Sequence, residues 1–512
     1  MKAGLLGGAC VLGLIAAAPA SAQHQRHERQ QAAPATGPAP PAPQPVPQGR
    51  DLHDMNGMEG MQMPAGARSP AAPVAPAAGP TDQAGHDMPA REAKPDPATQ
   101  PPPLDDSGQA MSNMAGRQVM DPSTTMGMGH EMRGALGLYA MTREASGTSW
   151  QPDSSIHGGL ETMAGDWMLM AHAVLNGVYD RQWGLRGGEK VFLAGMLMGV
   201  ARRDFADGNA LQFKAMLSPD PWMGKRGYPL LLASGETANG VDPLIDRQHP
   251  HDLFMELSAS YSVKIGEKAS AFLYGGLPGE PAFGPPAFMH RMSIMDSPEA
   301  PITHHWLDST HIAFGVVTAG LVLDRFKIEA SRFHGREPDE QRYDIETGPL
   351  DSTAVRVSLN PTPELSLQAS WAHLKSPEQL EPDENQTRWS ASAIYTKRLG
   401  EKRWWSTTLA WGRRSAEHES FDAVAFEGAL GLEDWTLFGR AEYSENNELL
   451  FVGSHHGPTF NVGKMSLGAI RDFRLANHVK FGVGALVSAN FVPRQLNRST
   501  AASRRGRWPS SG

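Results

Sequence analysis

Residues 353–360 read TAVRVSLN, residues 365–374 read LSLQASWAHL, and residues 435–443 read WTLFGRAEY. In each segment every second residue is apolar or small, and most of the residues between them are polar. A period of two over about ten residues, repeated in segment after segment, is typical of β-strands whose two faces meet different surroundings. The sequence therefore predicts an all-β fold.

The ends of these segments indicate that one face meets lipid. Trp435 and Tyr443 share a face, and their spacing corresponds to about 20 Å along the normal of a tilted barrel. Aromatic residues at both edges of an apolar band are typical of membrane barrels, whereas a soluble sandwich needs none there. Fifteen strand candidates lie between Asp166 and Val492, and bacterial single-chain barrels have even strand counts. We therefore predict an antiparallel transmembrane β-barrel of about 16 strands over residues 163–493.

The connections between the candidates alternate between short and long. Because outer-membrane barrels have short periplasmic turns, the first strand is predicted to rise from the periplasm and the fifteenth to end outside. Residues 494–512 are basic, rich in serine and without alternation. We expect either a miscount or a C-terminus that is truncated or frame-shifted relative to an intact relative.

The N-terminus predicts export. Met1 and Lys2 precede an apolar run that is too short to span a bilayer, and Ala20-Ser21-Ala22 is a small-residue cleavage site. Residues 1–22 are therefore predicted to be a signal peptide, which contains the only cysteine. The mature chain can form no disulfide or thiolate metal site, and its predicted location is a Gram-negative outer membrane.

Composition and motifs exclude two classes of function. A formal net charge of −9 argues against nucleic-acid binding. The chain has no GxSxG motif, P-loop or dinucleotide fingerprint, so we expect no enzymatic activity.

Residues 23–141 are rich in proline and alanine and lack periodicity, which predicts a disordered periplasmic tail. Methionine and histidine are clustered within it. Thioethers suit Cu(I) or Ag(I), and imidazole adds capacity for Cu(II), so the clusters predict copper-ion binding. Low-complexity drift and helix packing are the alternatives. The candidate ligands are His53, Met55, Met58, Met61, Met63, His86, Met88, Met126, Met128, His130 and Met132.

Strand parity also assigns residues to the lumen. If the apolar face of the first three strands meets lipid, five methionines and one histidine face inward as a ladder of soft ligands that continues from the tail. An apolar lumen lining is one alternative, and lipid contact after a one-residue register shift is another. The predicted lumen residues are Met168, Met170, His172, Met196, Met198 and Met216.

The long loops contain most of the remaining histidines, often beside carboxylates, as in DRQHPHD and THHWLDSTH. Such groups can bind Cu(II) or Zn(II), or can cross-link loops through hydrogen bonds at the barrel mouth. Both interpretations stay open. The residues are His249, His251, His304, His305, His311, His334, His455 and His456.

The signal peptide, the clusters HDMNGMEGMQM and MGMGHEM, and the barrel that follows them resemble the copper-resistance outer-membrane proteins of the protein B type. The resemblance implies copper tolerance by periplasmic capture and outer-membrane passage or sequestration. Its implied partners are metal ions, membrane lipid and periplasmic copper-handling proteins. The strings QHPHDLFMELSASYS and SRFHGREPDEQRYDIE do not match that family and look like hallmarks of a separate proteobacterial barrel family.

Two other functions compete with copper handling. One is a porin-like channel for small organic or anionic solutes, with Arg202, Lys214, Arg356 and Arg440 lining the lumen. The other is a structural barrel that anchors periplasmic partners through the proline-rich tail.

Overall fold

A computed structural model describes residues 8–15, 133–156, 158–416, 419–452 and 455–496. The predicted tail ligands between His53 and Met132 lie outside these residues. Among the described residues, no helix is both long and apolar enough to cross a bilayer. The architecture is all-β, as the period-two pattern predicts.

Fifteen antiparallel strands form the barrel wall, and each pairs with the next along the chain. They are β1 Trp167–Gln182, β2 Gly188–Asp204, β3 Ala210–Leu217, β4 Phe254–Lys264, β5 Ala269–Gly276, β6 Val316–Leu323, β7 Phe326–Phe333, β8 Ser352–Thr362, β9 Leu365–Leu374, β10 Gln386–Arg398, β11 Arg403–Ala416, β12 Glu419–Leu432, β13 Trp435–Asn446, β14 Phe460–Ala476 and β15 Val479–Phe491. The predicted antiparallel transmembrane barrel is confirmed.

Two further segments add strands between β15 and β1, and one of them pairs with both. The segment Gly8–Ile15 pairs antiparallel with both, opposite Lys480–Val487 on one side and Leu175–Arg181 on the other. The strand Leu160–Ala164 pairs with the first residues of β1. With these two segments the sheet of the described residues has seventeen strands, one of which belongs to the predicted signal peptide.

The outer surface of the wall is apolar. On β13, Trp435, Leu437 and Tyr443 are exposed, whereas Arg440 and Glu442 between them are buried toward the lumen. An apolar exterior with a polar interior is the arrangement that a lipid bilayer requires of a barrel. Large apolar side chains continue this band on other strands, namely Leu169, Leu197, Phe213, Leu273, Leu321, Ile328, Leu359, Leu409, Phe426, Leu467 and Val487.

The two ends of the barrel differ. At one end, which we call the short-turn end, the strands are joined by tight turns in which Asp324, Glu433 and His478 adopt left-handed backbone conformations (φ 56°, 60° and 71°). At the other, the long-loop end, residues 218–253, 277–315, 334–351, 375–385 and 447–459 connect the strands. The general rule for outer-membrane barrels predicts that the short-turn end faces the periplasm.

Residues 133–156 lie across the short-turn end inside the barrel. The Arg133 Nη1 atom donates to the carbonyl of Gly208 at 2.6 Å, and the Arg143 Nη1 atom donates to that of Asp324 at 2.9 Å. The disordered tail was predicted to extend to residue 141. This boundary is wrong, because residues 133–141 pack in the lumen, where Leu136 and Tyr139 form a core with Trp150 and the wall.

The loop of residues 277–315 also folds into the lumen. Its Arg291 guanidinium binds Glu427 of β12 at 2.6 Å and Asp308 at 2.8 Å, and its Glu299 accepts from Lys464 of β14 at 2.7 Å. These charges are buried, and such groups are tolerated only when they are paired. The ion pairs therefore fix the loop to the wall as an internal plug.

Two leucines of β14 face outward, and their depth in the membrane predicts how much an arginine in their place would destabilise the barrel. Leu467 is 66% exposed opposite the middle of β13, and Leu475 is 65% exposed at the short-turn end. We expect Leu467→Arg to lower the free energy of unfolding by about 2–4 kcal/mol and Leu475→Arg by about 0–1 kcal/mol, because the cost of a cation depends on membrane depth. Urea titration in lipid vesicles measures both, and equal costs would contradict the membrane placement.

Candidate functional site

Methionine side chains converge on one cavity of about 120 Å³ inside the barrel. We call it the methionine cavity. Its other side chains include His172, His290, Glu144, Gln212 and Lys214. Seven of the chain's 25 methionines line this space, which makes sulfur its main ligand type. They are Met141, Met170, Met196, Met198, Met289, Met292 and Met295.

Strand register brings the wall residues together. His172 of β1 lies opposite Met198 of β2, and Met198 lies opposite Met216 of β3. Residues paired in this way have Cβ atoms about 4.5–5.5 Å apart, so their side chains meet on the lumen face. The structure places all six predicted lumen residues on that face, although only Met170, His172, Met196 and Met198 reach the cavity.

The remaining sulfur atoms come from the inserted segments. Met141 belongs to the segment at the short-turn end, and Met289, Met292 and Met295 belong to the loop plug. Sequence reasoning missed all four. The string FMHRMSIMD carries a spacing of three that could have indicated them, but nothing in the sequence indicated that this loop lies inside the barrel.

Charged groups at the edge of the cavity are paired. The Lys214 Nζ atom lies 3.4 Å from a carboxylate oxygen of Glu256, and the Tyr274 hydroxyl donates to the same carboxylate group at 3.0 Å. Glu144 accepts from the backbone N–H of Leu136 at 3.0 Å. Neutral thioethers therefore dominate the ligands that face the space.

A second cavity, of about 60 Å³, lies beside the first. The two cavities share Met196, Met289 and Met295 in their linings. The second is lined in addition by His249 and His251. The lumen thus has a zone of sulfur ligands that adjoins a zone of imidazole.

Five loop histidines meet beyond this second cavity, and we call them the histidine cluster. The ring centroids of His251 and His311 are 5.2 Å apart, and those of His304 and His311 are also 5.2 Å apart. His249 lies 6.0 Å from His305, and His304 lies 5.8 Å from His305. All five are buried. The motifs DRQHPHD and THHWLDSTH are therefore parts of one site.

Three of these rings are held by oxygen atoms through Nδ1. The His251 Nδ1 atom lies 2.9 Å from a carboxylate oxygen of Asp220, and the His304 Nδ1 atom lies 2.8 Å from one of Asp308. The His311 Nδ1 atom lies 2.7 Å from the backbone carbonyl of Asp308. Carboxylate and carbonyl oxygens accept hydrogen bonds, so each Nδ1 carries the proton.

Carboxylates surround the other side of the cluster. The His249 Nε2 atom lies 3.0 Å from Glu236, and Arg342 binds both Glu236 and Asp252. Burial raises the pKa of Glu236 to about 7 and that of Asp252 to about 6. Glu236 also has a left-handed backbone (φ 57°), a conformation that the surrounding structure must hold in place.

The histidines of the cluster differ in their pKa values. Burial lowers the pKa of His249 and His311 well below the usual value, and it lowers that of His304 in spite of Asp308. For His305 burial acts in the same direction, but the Glu337 carboxylate at 3.4 Å outweighs it and raises the pKa. Most of the cluster is therefore neutral at pH 7, and His305 is the member that binds a proton.

Other predicted ligands lie apart from these sites. The His334 Nδ1 atom contacts the carbonyl of Pro349 at 3.2 Å, and the His456 Nε2 atom lies 3.3 Å from Glu381. His456 also has ligand atoms within 4.8 Å of Glu378 and Glu448. The side chain of His455 is outside the described part of the chain.

Comparison with known proteins gives no family. No family model matches the chain, and no curated protein matches it. Among solved structures, it is similar to OmpT, an outer membrane protein of Vibrio cholerae, with 10% identity over 64% of this chain and 99% of that chain and a TM-score of 0.35. Pseudomonas aeruginosa OccK7 is 10% identical over 66% of this chain and 90% of that chain, with a TM-score of 0.28. A porin is 12% identical over 63% of this chain and 99% of that chain, with a TM-score of 0.32. None of these structures is similar enough to assign a role to any residue of this chain.

The His305–Glu337 contact predicts a pH dependence. Because the pKa of His305 is raised in the folded protein, its stabilising contribution is fully present below about pH 6.5 and is lost as the pH rises through the raised value. We expect wild type to exceed Glu337→Gln in free energy of unfolding most strongly near pH 5–6, and the difference to narrow at higher pH.

Urea titrations at several pH values measure this difference. Glu401→Gln, which removes the same charge from an exposed turn at the short-turn end, is the matched control. A difference between wild type and Glu337→Gln that stays constant over the whole range would contradict the assignment of the proton to His305.

Proposed function

We propose that this outer-membrane barrel binds a soft metal ion, Cu(I) or Ag(I), as its cargo in the methionine cavity. The observation that carries the proposal is the convergence of seven methionines from the wall and two inserted segments. Thioethers are soft, neutral ligands that favour these ions over Ca²⁺ or Mg²⁺.

Packing accounts for some of these methionines. Methionine fills irregular gaps in cores, and Met196, Met198 and Met289 pack with Met216, Met255 and Phe314 in a hydrophobic core. The cavity nevertheless combines seven methionines with two histidines and leaves room beside them. Open space lined by sulfur and imidazole groups is what favours ion binding over packing alone.

The inserted segments limit the free space in the lumen. They are held there by buried ion pairs, and cavities of about 120 and 60 Å³ remain beside them. A metal ion fits this space.

The predicted periplasmic tail has a part in the proposed function. Its clustered methionines and histidines, which end at Met132, directly precede the segment whose Met141 lines the cavity. If the short-turn end faces the periplasm, the tail would capture copper there and deliver it to the lumen. Periplasmic copper-handling proteins are the partners that would supply the ion, and metal tolerance is the physiological role.

A channel for small polar solutes is the second candidate. The inward faces of the strands carry buried Arg356, Arg388, Arg414 and Arg440, and rows of charge in a lumen select solutes in many pores. In this function the loop plug would be a gate, and the methionines would be incidental.

We expect the triple variant Met196→Leu, Met198→Leu, Met289→Leu to lose one equivalent of Cu(I), because it removes three sulfur ligands while keeping similar volume. Titration of the full mature chain against a competing Cu(I) chelator measures the number of ions bound. The tail is present in every variant, so its contribution cancels in the comparison.

The control variant Met163→Leu, Met255→Leu, Met465→Leu removes the same number of sulfurs outside the cavity. Met163 and Met465 are 65% and 54% exposed, and Met255 is fully buried in a core. Equal Cu(I) stoichiometry in the two triple variants would overturn the soft-ion proposal.

Vesicles containing the mature protein separate the two candidate functions. If the barrel binds a soft ion, vesicles should take up Ag(I) or Cu(I), the triple cavity variant should take up less, and no vesicles should swell in sugar solutions. The solute-channel alternative expects sugar or amino-acid permeation that is the same in wild type and in the cavity variant.

A further inference from the structure

We propose that His251, His304 and His311 form a second metal site, for a divalent ion of borderline softness such as Cu(II) or Zn(II). The site is made of different residues from the methionine cavity, and it does not depend on the proposed cargo. It gathers ligands from two long loops, because His251 precedes β4 and the other two lie in the loop plug.

The orientation of the rings is the first argument. Each Nδ1 donates to an oxygen, from Asp220, from the Asp308 side chain or from the Asp308 backbone. Metal-binding histidines usually donate their other N–H to a carboxylate or carbonyl, which fixes the tautomer and turns the free nitrogen toward the ion. In a neutral ring so held, Nε2 carries a lone pair.

Unpartnered atoms are the second argument. The Nε2 atoms of His251 and His311 have no hydrogen-bond partner among the described residues, although the two residues are only 9% and 8% exposed. A buried polar atom without a partner costs about 1–3 kcal/mol. A bound cation would satisfy both nitrogen atoms.

Spacing is the third argument. Zinc binds imidazole nitrogen at about 2.0–2.1 Å in tetrahedral geometry, which places the centroids of two bound rings about 5 Å apart. The centroids of His251 and His304 both lie 5.2 Å from that of His311. The three Nε2 atoms are not yet gathered within 4.8 Å of one another, so the rings would turn slightly as the ion binds.

The surrounding charge suits a cation. Asp220 and Asp308 hold the three rings, and Glu236, Asp252 and Glu337 face the neighbouring His249, Arg342 and His305. Arg291 is a competing cation, and it is already paired with Asp308 and Glu427. Carboxylate behind imidazole raises the basicity of the ligand nitrogen.

Another group of side chains has its ligand atoms closer together. Glu378, Glu448 and His456 lie within 4.8 Å of one another. However, Arg414 already binds both glutamates, and its guanidinium stands where a cation would compete. In the histidine cluster the cations Arg291, Arg342 and His305 contact carboxylates and not the three proposed ligand rings, so we prefer it as the metal site.

The test is a titration of the full mature chain with Co(II), whose visible absorption distinguishes tetrahedral nitrogen ligation from hydrated ion. We expect His251→Gln combined with His311→Gln to abolish one Co(II) equivalent with tetrahedral absorption. The matched control is His334→Gln combined with His373→Gln, which removes two histidines from outside the cluster and should keep that equivalent. Equal spectra from both double variants would overturn the site.

A milder variant keeps the test decisive if the double variant does not fold. Asp220→Asn leaves all three ligands but weakens the hold on His251, so we expect about 10- to 100-fold weaker Co(II) binding. Unchanged affinity would overturn the site. Cu(I) stoichiometry in the same samples tests the methionine cavity separately, so failure of one proposal is distinguishable from failure of the other.

Discussion

Satisfaction of backbone hydrogen bonds in lipid is the constraint on which this structure depends. Hydrocarbon offers no partner to an exposed N–H or C=O group, so a sheet can cross a bilayer only as a closed ring. Fifteen strands between Trp167 and Phe491 form the wall of that ring, and in the unprocessed chain Gly8–Ile15 of the predicted signal peptide pairs with its first and last strands. Closure forces every second side chain inward, and the lumen is where the chain can place polar and ligand-bearing residues.

The inward side chains create a second requirement, since charges in a narrow lumen must be paired. The wall supplies Glu427 and Lys464, and the loop plug supplies Arg291 and Glu299. Lys327 and Arg356 both bind Glu329 in the same manner beside the short-turn segment. Removing one partner from such a pair costs about 3–5 kcal/mol because the other charge stays buried. These pairs therefore determine where the inserted segments lie and hence which side chains reach the two sites.

The barrel could be predicted from the sequence because alternation is a local signal. The alternating segment of residues 365–374 coincides with the strand Leu365–Leu374, and Trp435 and Tyr443 lie on the outer face as the pattern indicates. The inserted segments could not be predicted. Residues 133–156 and 277–315 lack periodicity, and their positions come from contacts with strands far away in the sequence, such as Arg143 with the turn at Asp324. The histidines were found as separate motifs for the same reason, since only the folded loops bring His251 and His311 together.

The arrangement of the two sites follows from the chemistry of their ligands. Neutral thioethers bind a weakly hydrated, soft cation without a carboxylate, so a methionine cavity can lie deep among uncharged side chains. Imidazole needs a deprotonated nitrogen and an acceptor for its other N–H, so the histidine cluster must lie where loops can supply Asp220 and Asp308. Met196, Met289 and Met295 line both cavities and join these two environments. The two sites therefore adjoin one another but suit ions of different softness.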